Sequence, residues 1–352
     1  MAYTTIDKPT DYFNTVLYTG TGSSNAITGV GHSPDFVWTK RRNSTGVHFL
    51  QNTVTGTNKA LFSNDTSADF TGGVDGGTSV TSFDSDGFTV GTEGAINGSS
   101  DTFVSWNWKA GGSASSNSDG SITSSVSANT TSGFSIVTWT GTGSAGTVGH
   151  GLSSVPNLIL FKNRSRGIHW VTYDSNGGAG KYLHLEDTYA YSSSTVMFNN
   201  TEPTSSVFSI GGNNQNNASS ENIIAYCFAE KKGYSKFGSY TGNNSNNGPF
   251  VYLGFKPAWI LFKSSDSGQH WHLIDSKRET SNDDDAAQLS PNNNSSEATV
   301  KSDRGTAKVD FLSNGFKIRS DGSSFNGTNS MIYMAFAESP FVNSNGIPTN
   351  AK

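Results

Sequence analysis

Three histidines, each followed by an aromatic residue, are the side chains of this sequence best suited to chemistry: His48-Phe49, His169-Trp170 and His270-Trp271. An imidazole can ligate a metal or move a proton. These three recur at one place in three successive stretches of sequence, and equivalent positions in tandem modules do not converge on one ion. His270 and His272 lie two apart on one strand face and supply half a site, with no nearby carboxylate to complete it. The histidines, with His32 and His150 in loops, are therefore expected to be structural or surface residues, and no metal site is expected.

The carboxylates lead to the same place. Asp174 and Asp275 each follow their histidine by five residues, a spacing that on a strand puts the two side chains on opposite faces. Asp283-Asp284-Asp285 offers oxygens of the kind Ca²⁺ takes, but three adjacent carboxylates in a loop point different ways. No pair of carboxylates stands out at the separation glycoside hydrolysis needs. There is no Gly-x-Ser-x-Gly elbow between a strand and a helix. Gly20-Thr21-Gly22 and Gly141-Thr142-Gly143 are turns between strands, with no helix N-terminus to hold phosphate. Cys227, the one cysteine, falls on the small-residue side of a strand and is expected to be a packed, inert thiol. No catalytic residue, enzyme activity or cofactor is expected.

The elements that would position such residues come three times over. Tyr18-Thr19-Gly20, Trp139-Thr140-Gly141 and Tyr240-Thr241-Gly242 each open a block. A proline, an apolar strand and a lysine follow at fixed spacing: Pro34 to Lys40, Pro156 to Lys162, Pro257 to Lys263. Each block closes on a strand with large residues on one face (Trp106 and Trp108, Tyr226 and Phe228, Met334 and Phe336) and small ones on the other (Ser105 and Asn107, Ala225 and Cys227, Ala335 and Ala337). In this alignment Phe49, Trp170 and Trp271 are expected at matching buried positions. Self-similarity at domain scale fixes architecture before local structure is considered. The strands are short and turn-bounded, and no stretch carries a capped helical stripe. The fold class is all-β, as three tandem antiparallel β-sandwich modules of jelly-roll or lectin-like type. Module one spans 1–112, a Gly/Ser/Thr/Asn-rich linker or crossing strand spans 113–133, module two 134–233, and module three with its tail 234–352. The short passage between the last two predicts close apposition, with the first module more independent.

Composition narrows the function classes. Charged residues are 14% of the chain and the formal net charge is -5, so no basic footprint for nucleic acid can be assembled. Lys40-Arg41-Arg42 and Lys231-Lys232 read as solvated strand ends or loops. The 12% aromatic content argues against disorder. No apolar run has the length of a membrane span, and the first residues lack the apolar centre of a signal peptide. Synthesis and folding in a cytoplasm are expected, without membrane insertion.

Several stretches together resemble a known group of proteins: Tyr18–Gly22 (YTGTG), Pro34–Lys40 (PDFVWTK), Phe83–Gly91 (FDSDGFTVG), Phe103–Gly111 (FVSWNWKAG), Phe134–Gly143 (FSIVTWTGTG), Ala225–Glu230 (AYCFAE), Tyr234–Gly242 (YSKFGSYTG) and Ile332–Glu338 (IYMAFAE). They are similar to the repeat-bearing virion structural proteins of marine tailed bacteriophages, described as tail-fibre-like or lectin-like sandwiches, over about residues 3 to 350. The resemblance implies a non-enzymatic virion component made in the host bacterial cytoplasm. A tail fibre or spike for host-surface attachment comes first, a capsid decoration protein second, and a carbohydrate-binding lectin-like or depolymerase module third. The implied partners are further copies of the chain as a homo-oligomer, with a trimer favoured, then other virion proteins and a host surface glycan. The loops before the closing strands are the expected contact points, through Asn97, Ser99, Asn214, Gln215, Asn216, Asn326 and Thr328, because amides and hydroxyls both donate and accept.

Overall fold

The computed structural model describes residues 3–278, 282, 287–298 and 308–349. The fold is all-β: strand makes up 42% and helix 5%, the latter as single turns such as Gly94–Asn97 and Asn214–Asn217. Every ladder between named strands is antiparallel, and the same four-strand arrangement occurs in each block. The opening strands Phe13–Thr19, Phe134–Thr140 and Ser235–Thr241 pair with the closing strands Thr102–Trp108, Asn222–Phe228 and Ser330–Pro340. The closing strands pair in turn with Phe36–Arg41, Leu158–Asn163 and Phe255–Ser264, which carry the repeated lysines. A fourth strand follows: Phe49–Asn52, Val171–Asp174 or His272–Asp275. A small sheet belongs to each block, built around Gly87–Val90, Val207–Ile210 or Gly315–Ile318.

Because strand side chains alternate, each large sheet has two faces, and both are buried. The small-residue faces of the closing strands turn toward their own block's small sheet, where Ala225 and Cys227, or Ala335 and Ala337, join a core private to that block. The large-residue faces of all three closing strands meet in a single shared core. Trp108, Phe228 and Phe336 occupy equivalent registers opposite Phe36, Leu158 and Trp259. They form an edge-to-face triangle, with ring centroids 6.2, 5.8 and 6.1 Å apart. The three blocks are therefore wrapped around one centre in an approximate threefold arrangement, and the first is engaged as deeply as the others. Residues 113–133 supply two strands, Ser115–Asn117 and Ser124–Asn129, that extend the second block's large sheet beyond its opening strand. Their Ser-rich, weakly apolar composition suits an edge position.

One expected alignment is corrected. The ladders pair Trp38 with Leu50, Leu160 with Thr172 and Leu261 with Leu273. Counting back from these, His48 is the counterpart of Trp170 and Trp271, while Phe49 matches Val171 and His272. The link from Lys40 to His48 is one residue longer than those from Lys162 to His169 and Lys263 to His270. A one-residue slip changes a strand residue's face. Thus Phe49 lies in the first block's private core, whereas Trp170 and Trp271 lie in the shared one.

Candidate functional site

The corrected frame shows what the repeated residues do. Trp170 Nε1 of block two donates to the carbonyl of Phe62 in block one at 2.8 Å. Trp271 Nε1 of block three donates to the carbonyl of His184 in block two at 2.9 Å. His48 stands in this place in block one. Its Nδ1 accepts from Trp38 Nε1 at 3.0 Å, and its ring meets the Ser290 backbone in block three, with Nε2 outside strict hydrogen-bond geometry. Phe62, His184 and Ser290 are equivalent, each following the leucine that pairs with its block's fourth strand. Three backbone bonds repeat the pattern: Asp69 N to Arg164 O, Tyr191 N to Ser265 O and Glu297 N to Arg42 O, at 2.8, 2.9 and 3.0 Å. Each block thus holds the next in one rotational sense, and the third returns to the first. This is a heterologous interface that closes into a ring.

The lysines belong to the same seams. Lys40, Lys162 and Lys263 are buried, so Lys40 is not the solvated strand end expected of it. Each donates to the carbonyl of the following residue. Lys162 also reaches Thr66 O in block one at 2.9 Å, and Lys263 reaches the equivalent Thr188 O in block two at 3.1 Å. Burial pushes Lys40 down to about 7, and Lys162 and Lys263 down to about 8.

The aspartates act across or beside the seams. Asp275 accepts from Trp106 Nε1 at 3.0 Å and pairs with Arg278, whose guanidinium lies over the Trp106 ring. At the equivalent position, Asn52 donates to Tyr226 at 3.1 Å. Asp174 accepts from Tyr191 within its own block. Met334, the counterpart of Trp106 and Tyr226, has no donor to offer it. Cys227 is buried and its thiol is pushed up by burial, as a packed residue should be. Asp283, Asp284 and Asp285 lie outside the described residues.

The loop residues expected to contact ligands divide into two groups. Ser99, Asn214 and Thr328 are exposed and Gln215 is half-buried. Asn97, Asn216 and Asn326 are buried, which corrects their reading as contact residues. Asn97 Nδ2 donates to Ser23 O and Gly91 O, while its Oδ1 accepts from Thr21 N. Asn326 repeats this with Ser245 O, Ser320 O and Asn243 N. In block two the same role falls to Asn217, with Ser144 O, Gly211 O and Thr142 N. Asn216 donates instead to Met197 O. Each amide ties the Thr-Gly turn that opens its block to the turn before the closing strand. The repeated glycine is explained at the same point. A Cβ on Gly20, Gly141 or Gly242 would stand 2.2, 2.1 or 1.7 Å from the carbonyl oxygen of Gly98, Ala218 or Gly327.

An open groove of about 390 Å³ runs over the extended edge of the second block's sheet, lined by Ser116, Thr123, Ser125, Thr138, Asn222 and Arg164. Arg164 there is ion-paired to Asp69 of block one. At the seam of blocks two and three, His169, His184 and Glu186 bring ligand atoms within 4.8 Å of one another. Sequence reasoning missed this cluster because it looked for the partner of His169 on its own strand. The signal was His184 and Glu186 two residues apart, after a turn that folds them back beside it.

Fold and site together define a class: an all-β protein in which one four-strand arrangement occurs three times around a shared core, with repeated polar residues at the seams. The chain belongs to a family of domains of unknown function, DUF7483, whose model matches residues 8–340. No curated protein and no solved structure matches it. Among the described residues no helix is long and apolar enough to cross a membrane, which says nothing about spanning by strands.

Proposed function

We propose that this protein is a non-enzymatic structural component of a bacteriophage virion, of the tail fibre or spike type that attaches to a host surface. One observation carries the reading. Residue types that recur, and that a catalytic site would draw on, are engaged at the seams and turns: Lys162, Lys263, Asp275 and the clamp asparagines hold blocks or loops together, while Lys40 and His48 are buried beside a seam. A chain that spends its recurring polar side chains this way is suited to rigidity and to presenting loops. Each block is read as a β-sandwich, its large sheet facing the shared centre and its small sheet outside. The exposed Ser99, Asn214 and Thr328, carried on clamped turns, are the contact points for a host glycan or a neighbouring virion protein. Self-association is proposed as a trimer.

A purified phage encoding this chain provides the test. Mass spectrometry of the particles, with antibody labelling under the electron microscope, should find the chain at a fixed site on the tail, in copies matching the oligomer measured in solution. Labelling of the capsid surface would favour the decoration role, and absence from purified particles would overturn both. The groove beside Arg164 supports a second reading as a carbohydrate-binding module, since it offers hydroxyls, an amide and a guanidinium along one face. A glycan array answered by the wild type and lost on Thr138→Val with Asn222→Leu would support that reading.

A further inference from the structure

The three blocks use one structural position differently, and the difference points to a ligand. Asn64 accepts the backbone N–H of His48, and Asn292 accepts that of Trp271 at 3.1 Å. In block two the acceptor is Glu186, whose Oε2 takes the N–H of Trp170 at 3.1 Å. An amide oxygen therefore suffices for the fold, and the carboxylate of Glu186 is a charge that the backbone does not require. Two imidazoles accompany it. Block two has His169 where block one has Val47 and block three His270, and His184 where the others have Phe62 and Ser290.

We propose that His169, His184 and Glu186 form a binding site for a divalent transition metal of the zinc type, at the rim of the seam between blocks two and three. The donor set is two imidazoles and one carboxylate, which suits zinc and its neighbours and not the oxygen-seeking Mg²⁺ or Ca²⁺. The surrounding bonds pre-orient it. His184 Nδ1 lies 2.7 Å from the Trp170 carbonyl, so Nδ1 carries the proton and Nε2 presents its lone pair. A backbone carbonyl on the far nitrogen is the usual outer support of a metal-bound histidine. Glu186 is fixed through Oε2, which leaves Oε1 facing His169 Nδ1. The His169 and His184 rings lie 4.4 Å apart. Tetrahedral coordination brings ligand atoms to roughly 3.3 Å from one another, closer than the present 4.8 Å limit. His169 can make that adjustment because 44% of its side chain is exposed, whereas Glu186 at 6% stays in place. The ion would replace the hydrogen bond between His169 Nδ1 and Glu186 Oε1, its proton leaving to solvent. Three protein ligands leave a fourth position for water or for a side chain of a neighbouring protein.

The test uses the tag-free full chain, titrated with ZnCl₂ by calorimetry and with CoCl₂ by visible absorption. One Zn²⁺ per chain is expected, with a rise in Tm and a d–d spectrum typical of tetrahedral Co²⁺. Glu186→Asn restores what blocks one and three carry at that place, and His169→Val what block one carries, so both should keep the fold while weakening binding at least about tenfold. No stoichiometric zinc binding, or binding unchanged in both variants, overturns the site. Should Glu186→Asn misfold, the exposed His169→Val decides alone.

Discussion

The seam between blocks three and one and the seam between blocks two and three are built on the same backbone bonds, yet their side chains differ in kind. At the first, Asp275, Arg278, Glu297 and Arg42 make a chain of ion pairs packed against Trp106. Arg278 there is wholly buried. At the second, the counterparts of Arg42 and Glu297 are Ser265 and Tyr191, which share only the backbone bond. The counterpart of Trp106 is Met334, so Asp174 turns to Tyr191 instead. The ring is therefore specified by register, the backbone bonds repeated at all three seams and aromatic packing, and the buried charges are an addition at particular seams. That follows from cost: a buried ion pair needs full satisfaction to offset desolvation, whereas a backbone bond across an apolar seam does not.

The shared core should matter more than either seam. Trp108→Ala empties the central triangle and is expected to cost about 3–5 kcal/mol. Urea unfolding should stay a single transition for all three blocks; separate transitions would break the picture of one shared core. The comparison of seams gives the next effect. Asp275→Asn leaves Arg278 buried with a weakened partner, which is expected to cost about 3 kcal/mol. Asp174→Asn, its equivalent, should cost about 1 kcal/mol. Equal losses would show that the charges at the first seam contribute nothing beyond hydrogen bonding.

The lysines set a pH dependence common to all seams. Their folded pKa values lie below the ordinary lysine value, so between about pH 7 and pH 10 the unfolded chain binds more protons than the folded one. Stability should rise with pH across that window, by no more than about 1.4 kcal/mol per pH unit for each lysine. Lys40→Met should flatten the lower part of the rise, which urea midpoints measured at several pH values would reveal. In acid the sign is the same at the charged seam: stability again rises with pH. Burial works to raise Glu297, but Arg278 and Arg42 outweigh it and hold it below its ordinary value. Its contribution is present above the ordinary glutamate range and is lost as pH falls through the folded value, and Glu297→Gln should remove that part of the acid limb.

The turns offer a comparison of clamp with loop, and the exposed loop residues carry the smallest effects. Asn97→Ala and Asn326→Ala each strand buried polar groups and should cost about 1–3 kcal/mol. Ser99→Ala and Thr328→Ala, exposed beside them, should stay within about 0.5 kcal/mol. Thermal melts of the four variants would check this. A costly Ser99→Ala would mean that the turn itself depends on the exposed hydroxyl.

The sequence by itself determined the three blocks, the all-β class and the small-residue faces of the closing strands, because these rest on local spacing and on alternation along a strand. The Thr-Gly openings were legible as turns, although the carbonyl that forbids a Cβ there comes from the far end of the block. Only the tertiary structure decided that the blocks close a ring, since the large-residue faces look the same whether they cover their own sheet or a neighbour's. It also decided the frame of His48, which an extra residue in a loop had shifted by one place and hence by one face. The fate of the asparagines was hidden for a related reason: a polar side chain in a Gly/Asn-rich turn has one composition whether it faces solvent or clamps a distant backbone. His169, His184 and Glu186 meet only because a turn returns the chain beside its own fourth strand. Convergence of that kind is a property of the packed molecule, not of any spacing along the chain.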